Sequence, residues 1–116
     1  MSIQSQGDIR VFGMMERVDA LTARTAEEEL RRVIDGGDTS LVLDFSATKY
    51  ISSAGLRVVL QAAKGMKAKG GRLALCCLQE FVHEVFETAG LTSVLDVYES
   101  AEAARAAMRS SARGAA

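Results

Sequence analysis

The 116-residue chain has no proline, no tryptophan, one histidine and two cysteines. Without proline there is no slow cis–trans step and no rigid hinge. The cysteines are adjacent, Cys76-Cys77, which is not the spacing of a disulfide framework. They also lack the C-x₂₋₄-C spacing of a zinc site. His83 stands between Val82 and Glu84 and reads as a surface or boundary residue, so no metal site is expected from Cys76, Cys77 and His83. Neither charge sign dominates: 14 Lys+Arg against 15 Asp+Glu give a formal net charge of -1. That balance argues against the basic face of a nucleic-acid binder. No apolar run approaches the roughly 20 residues needed to cross a bilayer. The first eight residues show no basic stretch followed by an apolar one, so no signal peptide is expected. These absences predict a cytoplasmic protein with no cofactor and no membrane insertion.

What is present suits one soluble domain. Hydrophobic residues make up 48% of the chain and charged residues 25%, enough for a core and an ordinary wet surface. Residues 1–108 are expected to form the domain and 109–116, small and polar, a frayed tail. No linker, repeat or low-complexity tract interrupts the pattern. Ser2–Gln6 and Ile9–Met15 read as a hairpin turning at Gly7-Asp8. Thr22–Ile34 reads as a helix, with Thr25 and Glu28 at capping-box spacing and Ala26, Leu30, Val33 and Ile34 on one face. Gly36-Gly37 ends it. The apolar run Leu41–Phe45 reads as a strand covered on both faces. Ala54–Lys69 follows as a helix, with Leu56, Val59, Leu60, Ala63 and Met66 as its buried stripe and Lys64, Lys67 and Lys69 on its wet side. Arg72–Leu78 is the next strand, and its alternation sends the two thiols to opposite faces. Glu80–Ala89 is a helix with Phe81, Val82, Val85 and Phe86 inward, stopped by Gly90 with Leu91. A last strand, Val94–Tyr98, precedes a helix capped by Ser100 and running through Met108. Strands alternating with helices predict an α/β fold: a mixed sheet of four to five strands, parallel at its core, with about four helices.

The step Ile51-Ser52-Ser53-Ala54-Gly55-Leu56 carries the most chemical information. A serine at a helix N-terminus sits among free N–H groups and the positive end of the helix dipole. An anion, including a phosphate placed on that serine, is stabilised there. From the residues alone Ser53 also reads as a plain N-cap worth about 0.5–2 kcal/mol. As a catalytic nucleophile it would need a base and an orienting acid. The stretch is not a G-x-S-x-G elbow and His83 is the sole histidine, so an enzyme is not expected. Gly70-Gly71 follows a helix rather than opening one, which makes it a helix stop and not a phosphate loop.

The whole stretch from Asp44 to Leu56 resembles the signature of the STAS domain, as found in bacterial anti-sigma factor antagonists. Asp44 and Ser46 match the family's strand end. Tyr50-Ile51 match an aromatic-apolar pair, Ser53 the phosphorylated serine, Ala54 a small residue and Gly55-Leu56 a Gly-Leu step. Asp19 matches an acidic position before the first helix. Gly70-Gly71-Arg72-Leu73 and Ala89-Gly90-Leu91 match further landmarks, so the likeness runs from about Gly7 to Ala107. Two positions depart from the pattern: Ser52 stands where an acidic residue is usual, and Glu16 where a glycine is usual. The first departure leaves Ser52 as a second candidate acceptor.

The resemblance implies a STAS-like fold and a protein that works by binding. It implies an anti-sigma factor antagonist in a partner-switching circuit, monomeric when alone. Its partners would be an anti-sigma factor that is also a serine kinase of histidine-kinase-like ATPase fold, and a PP2C-like phosphatase. Ser53 would be the phosphorylated residue, and Asp19, Asp44, Ser46, Ser52, Ala54, Gly55 and Arg57 would form the partner-binding surface. The alternative implied by the same family is a STAS adaptor subunit, on a transporter or another signalling complex, without a phospho-switch.

Overall fold

The computed structural model describes the backbone of residues 3–6, 9–37 and 39–115, and the side chains of 9–37 and 39–109. The expected turn at Gly7-Asp8 lies outside the described residues. In chain order the elements are β1 (Ile3–Gln6), β2 (Ile9–Gly13), β3 (Arg17–Val18), α1 (Ala23–Ile34), β4 (Ser40–Asp44), β5 (Tyr50–Ile51), α2 (Ser53–Ala68), β6 (Arg72–Cys76), α3 (Glu80–Thr88), a 3₁₀ turn (Leu91–Ser93), β7 (Asp96–Tyr98) and α4 (Ala101–Ala115). Five strands form one sheet in the order β1-β2-β4-β6-β7, and β3 pairs with β5 in a separate two-stranded piece. Only β1 runs antiparallel to its neighbour; β2, β4, β6 and β7 are mutually parallel. The fold is the α/β, mixed-sheet architecture expected from the alternation of elements.

Helices cover both faces of this sheet. On one face α1, α2 and α3 bury Ala26, Leu30 and Val33, then Val58, Val59, Ala62 and Met66, then Val82 and Phe86 against Phe12, Leu41, Leu43 and Leu75. On the other, α4 lays Ala104 and Met108 on Ile9, Val11, Val42, Ala74 and Cys76. This explains why Leu41-Val42-Leu43 is apolar without alternation: successive side chains point to opposite faces, and both faces are covered.

The structure corrects several local expectations. Thr25 and Glu28 do not cap α1. The N-cap is Thr22, whose side chain makes no bond into the helix; the turn before it is fastened where Asp19 and Thr22 exchange bonds, Asp19 Oδ1 accepting from Thr22 N at 3.2 Å and Thr22 Oγ1 accepting from Asp19 N at 2.9 Å. The buried stripe of α2 is Gly55, Val58, Val59, Ala62 and Met66, while Leu56, Leu60 and Ala63 sit on its flanks. The helix is seated by its closest approach, at Gly55, rather than by its bulkiest residues. Phe81 faces outward, 49% exposed. The last strand begins at Asp96 rather than Val94, because the left-handed Gly90 (φ 77°) leads into the 3₁₀ turn and leaves Val94 exposed. α4 continues to Ala115 rather than ending at Met108, in keeping with a stretch rich in alanine and arginine and free of proline. Ser100 caps α4 as expected, its Oγ accepting from Ala103 N at 3.0 Å. Gly90 also provides the expected left-handed stop.

Candidate functional site

The site is assembled where the chain leaves the C-terminal ends of the parallel strands. After β4 the backbone folds back on itself. Asp44 Oδ1 accepts from Ser46 N at 2.8 Å, a local Asx turn. Thr48, fully buried, donates its hydroxyl to Met15 O at 2.7 Å and its N–H to Phe45 O at 2.9 Å. Lys49 N donates to Glu16 O at 2.8 Å, and Gln79 Nε2 to Ser46 O at 2.9 Å. These bonds pin the loop between the segment after β2 and the start of α3. The sequence reading overlooked both Thr48 and Gln79; each bonds a backbone oxygen 33 positions away, which no local pattern marks.

From that loop β5 pairs in parallel with β3, Arg17 opposite Tyr50 and Val18 opposite Ile51. Ser52 N continues the ladder by donating to Val18 O at 2.9 Å. The next residues turn into α2. Ser52, not Ser53, is the N-cap: its backbone is extended (φ −104°, ψ 178°) and its Oγ accepts from Gly55 N at a long 3.5 Å. Ser53 is the first residue of α2 and is exposed. Gly55 is buried, and a Cβ there would fall 2.4 Å from Val18 O and 2.6 Å from Ile51 Cγ1. The helix therefore starts in direct contact with the β3–β5 pair.

An aromatic group stands beside this N-terminus. Tyr50 and Phe81 stack with ring centroids 6.0 Å apart and planes 15° from parallel. The Arg17 guanidinium carbon lies 4.6 Å from the centre of the Tyr50 ring, within cation–π range. Phe81 is therefore outward because it caps Tyr50, not because α3 is rotated away from the core. Ser53, Leu56, Phe81, Glu84, Val85 and Thr88 line a shallow cleft of about 430 Å³ between α2 and α3.

Asp19 lies in the turn before α1. It accepts from the backbone N–H of Leu21 and Thr22 at 3.0 and 3.2 Å, and from Arg17 Nε at 3.2 Å. Burial raises its pKa, but the Thr22 and Leu21 N–H groups and the Arg17 guanidinium outweigh that and hold the carboxyl below the usual carboxylate range. Its carboxylate is thus committed to the loop that presents Arg17 and the 91% exposed Leu21. Of the other expected surface residues, Ser46 and Arg57 are exposed, Asp44, Ser52 and Ala54 are half-buried and Gly55 is buried. Gly55 thus shapes the surface by seating α2.

The two cysteines do not part to opposite faces as strand alternation predicted. Cys77 follows β6 with φ 63°, the only positive φ at a residue other than glycine among those described. That left-handed step turns its side chain back, so Cys76 and Cys77 both pack on the α4 side of the sheet. Burial, then the neighbouring Cys77 and the Asp44 carboxylate, pushes the Cys76 thiol well above the ordinary range. Burial and Asp44 also raise Cys77, opposed by Cys76 and by the backbone N–H of Ala101. His83, half-buried on α3, is not part of this group.

Comparison with known proteins bears directly on this arrangement. A STAS domain family model matches residues 1–104. The chain belongs to the STAS domain family. This STAS chain is 46% identical over 92 residues, 79% of either chain, to the Bordetella bronchiseptica protein BtrV, whose name describes it as a candidate anti-sigma factor antagonist. That relationship groups it with the anti-sigma factor antagonists. Two solved structures share the fold. One is a Thermotoga maritima protein described as a candidate anti-sigma factor antagonist, with TM-score 0.86, 20% identity and 93% of each chain covered. The other is the Bacillus cell-fate determinant SpoIIAA in its phosphorylated form, with TM-score 0.69, 18% identity, 91% of this chain and 97% of that one. Among the described residues no helix of the STAS domain is long and apolar enough to cross a membrane.

Proposed function

We propose that this STAS protein is a phospho-switched anti-sigma factor antagonist and that Ser53 is the switch. One observation carries the choice of residue. Ser52 places its hydroxyl in the cap of α2, whereas Ser53 presents an exposed hydroxyl one residue later, still within the first helical turn. Unphosphorylated, the protein binds an anti-sigma factor that is also a serine kinase of histidine-kinase-like ATPase fold, in the cytoplasm and as a monomer. The Ser53 hydroxyl attacks the γ-phosphorus of ATP on that kinase, ADP leaves, and the complex parts. A PP2C-like phosphatase restores the hydroxyl. The relationship to BtrV and the fold shared with phosphorylated SpoIIAA support this reading.

The energetics follow from where the charge falls. A phosphoserine carries about −1.5 to −2 charges at neutral pH. Inside the antagonist, the N–H groups and dipole at the start of α2 offset that charge, so the fold has no reason to change. Across an interface fitted to a neutral hydroxyl, the same charge must be desolvated and meets no prepared partner, so binding weakens. Arg17, Arg57 and Glu84 stand on the surrounding elements and tune that cost. The protein contributes no catalytic residue of its own to the transfer.

The deciding experiment is incubation with the co-encoded serine kinase and ATP, followed by phosphosite mapping and a binding measurement before and after. The expected result is one phosphate on Ser53 and a large loss of affinity. Phosphate on Ser52 alone would move the switch by one residue. Stable kinase binding with no phosphate on either serine would favour a constitutive adaptor.

A further inference from the structure

We propose that Asp44, Cys76 and Cys77 form a binding site for a single thiophilic divalent cation of the zinc class, independent of the serine switch. Asp44 ends β4 and Cys76 ends β6, and the parallel register sets them directly opposite each other. Their side chains therefore project from the same face of the sheet, the face covered by α4. The left-handed step at Cys77 adds the third donor. That conformation is rare for a cysteine, and an uncommon backbone held in place by its surroundings is a pointer to function. As a result one carboxylate oxygen and two sulfurs all lie within 4.8 Å of one another.

The donor set and its setting fit such an ion. Around one tetrahedral zinc, donors bound at about 2.0–2.3 Å stand roughly 3.5–3.8 Å apart, so small side-chain rotations close the remaining gap. Two sulfur donors select a soft or borderline cation over magnesium or calcium. Cys76 is buried at the back of the group, while Cys77 and Asp44 are half-buried, which leaves a fourth position reachable from solvent. The surroundings also handle the charge. Ala101 N–H, at the start of α4, donates to the Cys77 sulfur, and the Arg105 cation one turn on acts on Cys76. Two thiolates and a carboxylate against a divalent ion and that arginine leave the cluster neutral.

The fold does not bring His83 to Cys76 and Cys77. Asp44 is 32 residues before Cys76 and joins through the sheet alone.

The test is an anaerobic titration of the reduced full-length protein with Co²⁺, followed by displacement with Zn²⁺. The expected result is one Co²⁺ per chain, thiolate-to-cobalt charge-transfer absorption, and loss of that absorption on adding one equivalent of Zn²⁺. Cys77→Ser, at a partly exposed position, should abolish the band while keeping the far-UV circular dichroism of the wild type. Asp44→Asn, which keeps an oxygen for Ser46 N–H, should weaken binding by more than the roughly 10–100-fold that loss of an outer-shell partner costs. Ser53→Ala should bind Co²⁺ as the wild type does, which separates this site from the switch. Absence of the charge-transfer band, or an unchanged band in Cys77→Ser, would overturn the proposal. So would a melting temperature that is the same with and without excess Zn²⁺.

Discussion

A Cβ at Gly55 would fall 2.4 Å from the Val18 carbonyl oxygen, a distance that backbone cannot accept without moving. Gly55→Val should therefore destabilise the protein by about 1–3 kcal/mol or more, by forcing α2 off the β3–β5 pair. A thermal melt reads this directly, and a variant as stable as wild type would show that the contact is not restrictive. The neighbouring serines separate in a different way. Ser52→Ala removes the cap of α2 and should cost about 0.5–2 kcal/mol, toward the lower end because the Oγ–N distance is 3.5 Å. Ser53→Ala removes an exposed hydroxyl and should leave stability within about 0.5 kcal/mol of wild type. In partner binding the order reverses. Ser53→Ala should bind the kinase normally and resist release by ATP, and Ser53→Asp should bind more weakly. Ser52→Ala should remain releasable. Titration of each variant with the kinase, with and without ATP, checks the three together.

At the scale of elements, the entry to α1 depends on an ionised side chain. The Asp19 carboxylate accepts two backbone N–H bonds and the Arg17 guanidinium, and its pKa is held below the ordinary value. A carboxyl depressed in the folded state contributes stability above its unfolded pKa and loses it as pH falls through the folded one. Asp19→Asn should therefore melt below the wild type at neutral pH, and the gap should close as pH drops below about 3.9 toward the depressed folded value. A gap that stays constant with pH would mean that the charge on Asp19 does not matter to the turn. The same scale explains the cysteines. Alternation holds through Cys76 and fails at Cys77, where φ of 63° ends the strand pattern.

For the molecule as a whole, the sheet is covered on both faces, and α4 meets it through Ala104 and Met108. Ala104 is fully buried over the sheet face that presents Val42 and Ala74. Ala104→Leu should add volume where none is free and destabilise by about 1–3 kcal/mol. Denaturant unfolding measures this, and the switch should still be phosphorylated in the folded fraction, because α2 lies on the other face. A variant that lost phosphorylation while remaining folded would show coupling between the two faces.

The strands of the main sheet, the four helices, the parallel core and the serine pair at the start of α2 were legible in the sequence; the short β3–β5 pair was not. Each rests on local regularity: apolar runs four to five residues long, glycine stops, and a signature contiguous from Asp44 to Leu56. Such signals survive because neighbouring residues along the chain are neighbours in an element. Tertiary structure alone decided which serine caps α2, since that depends on the ladder bond from Ser52 N to Val18 O. It also decided that α2 is seated by Gly55, that Phe81 leaves the core for Tyr50, and that Asp19 rather than Thr25 anchors α1. The Asp44–Cys76–Cys77 group belongs there too. Its members meet through strand register and one left-handed residue, and neither leaves a mark in spacing, because a sheet joins residues at distances that the intervening helix makes arbitrary.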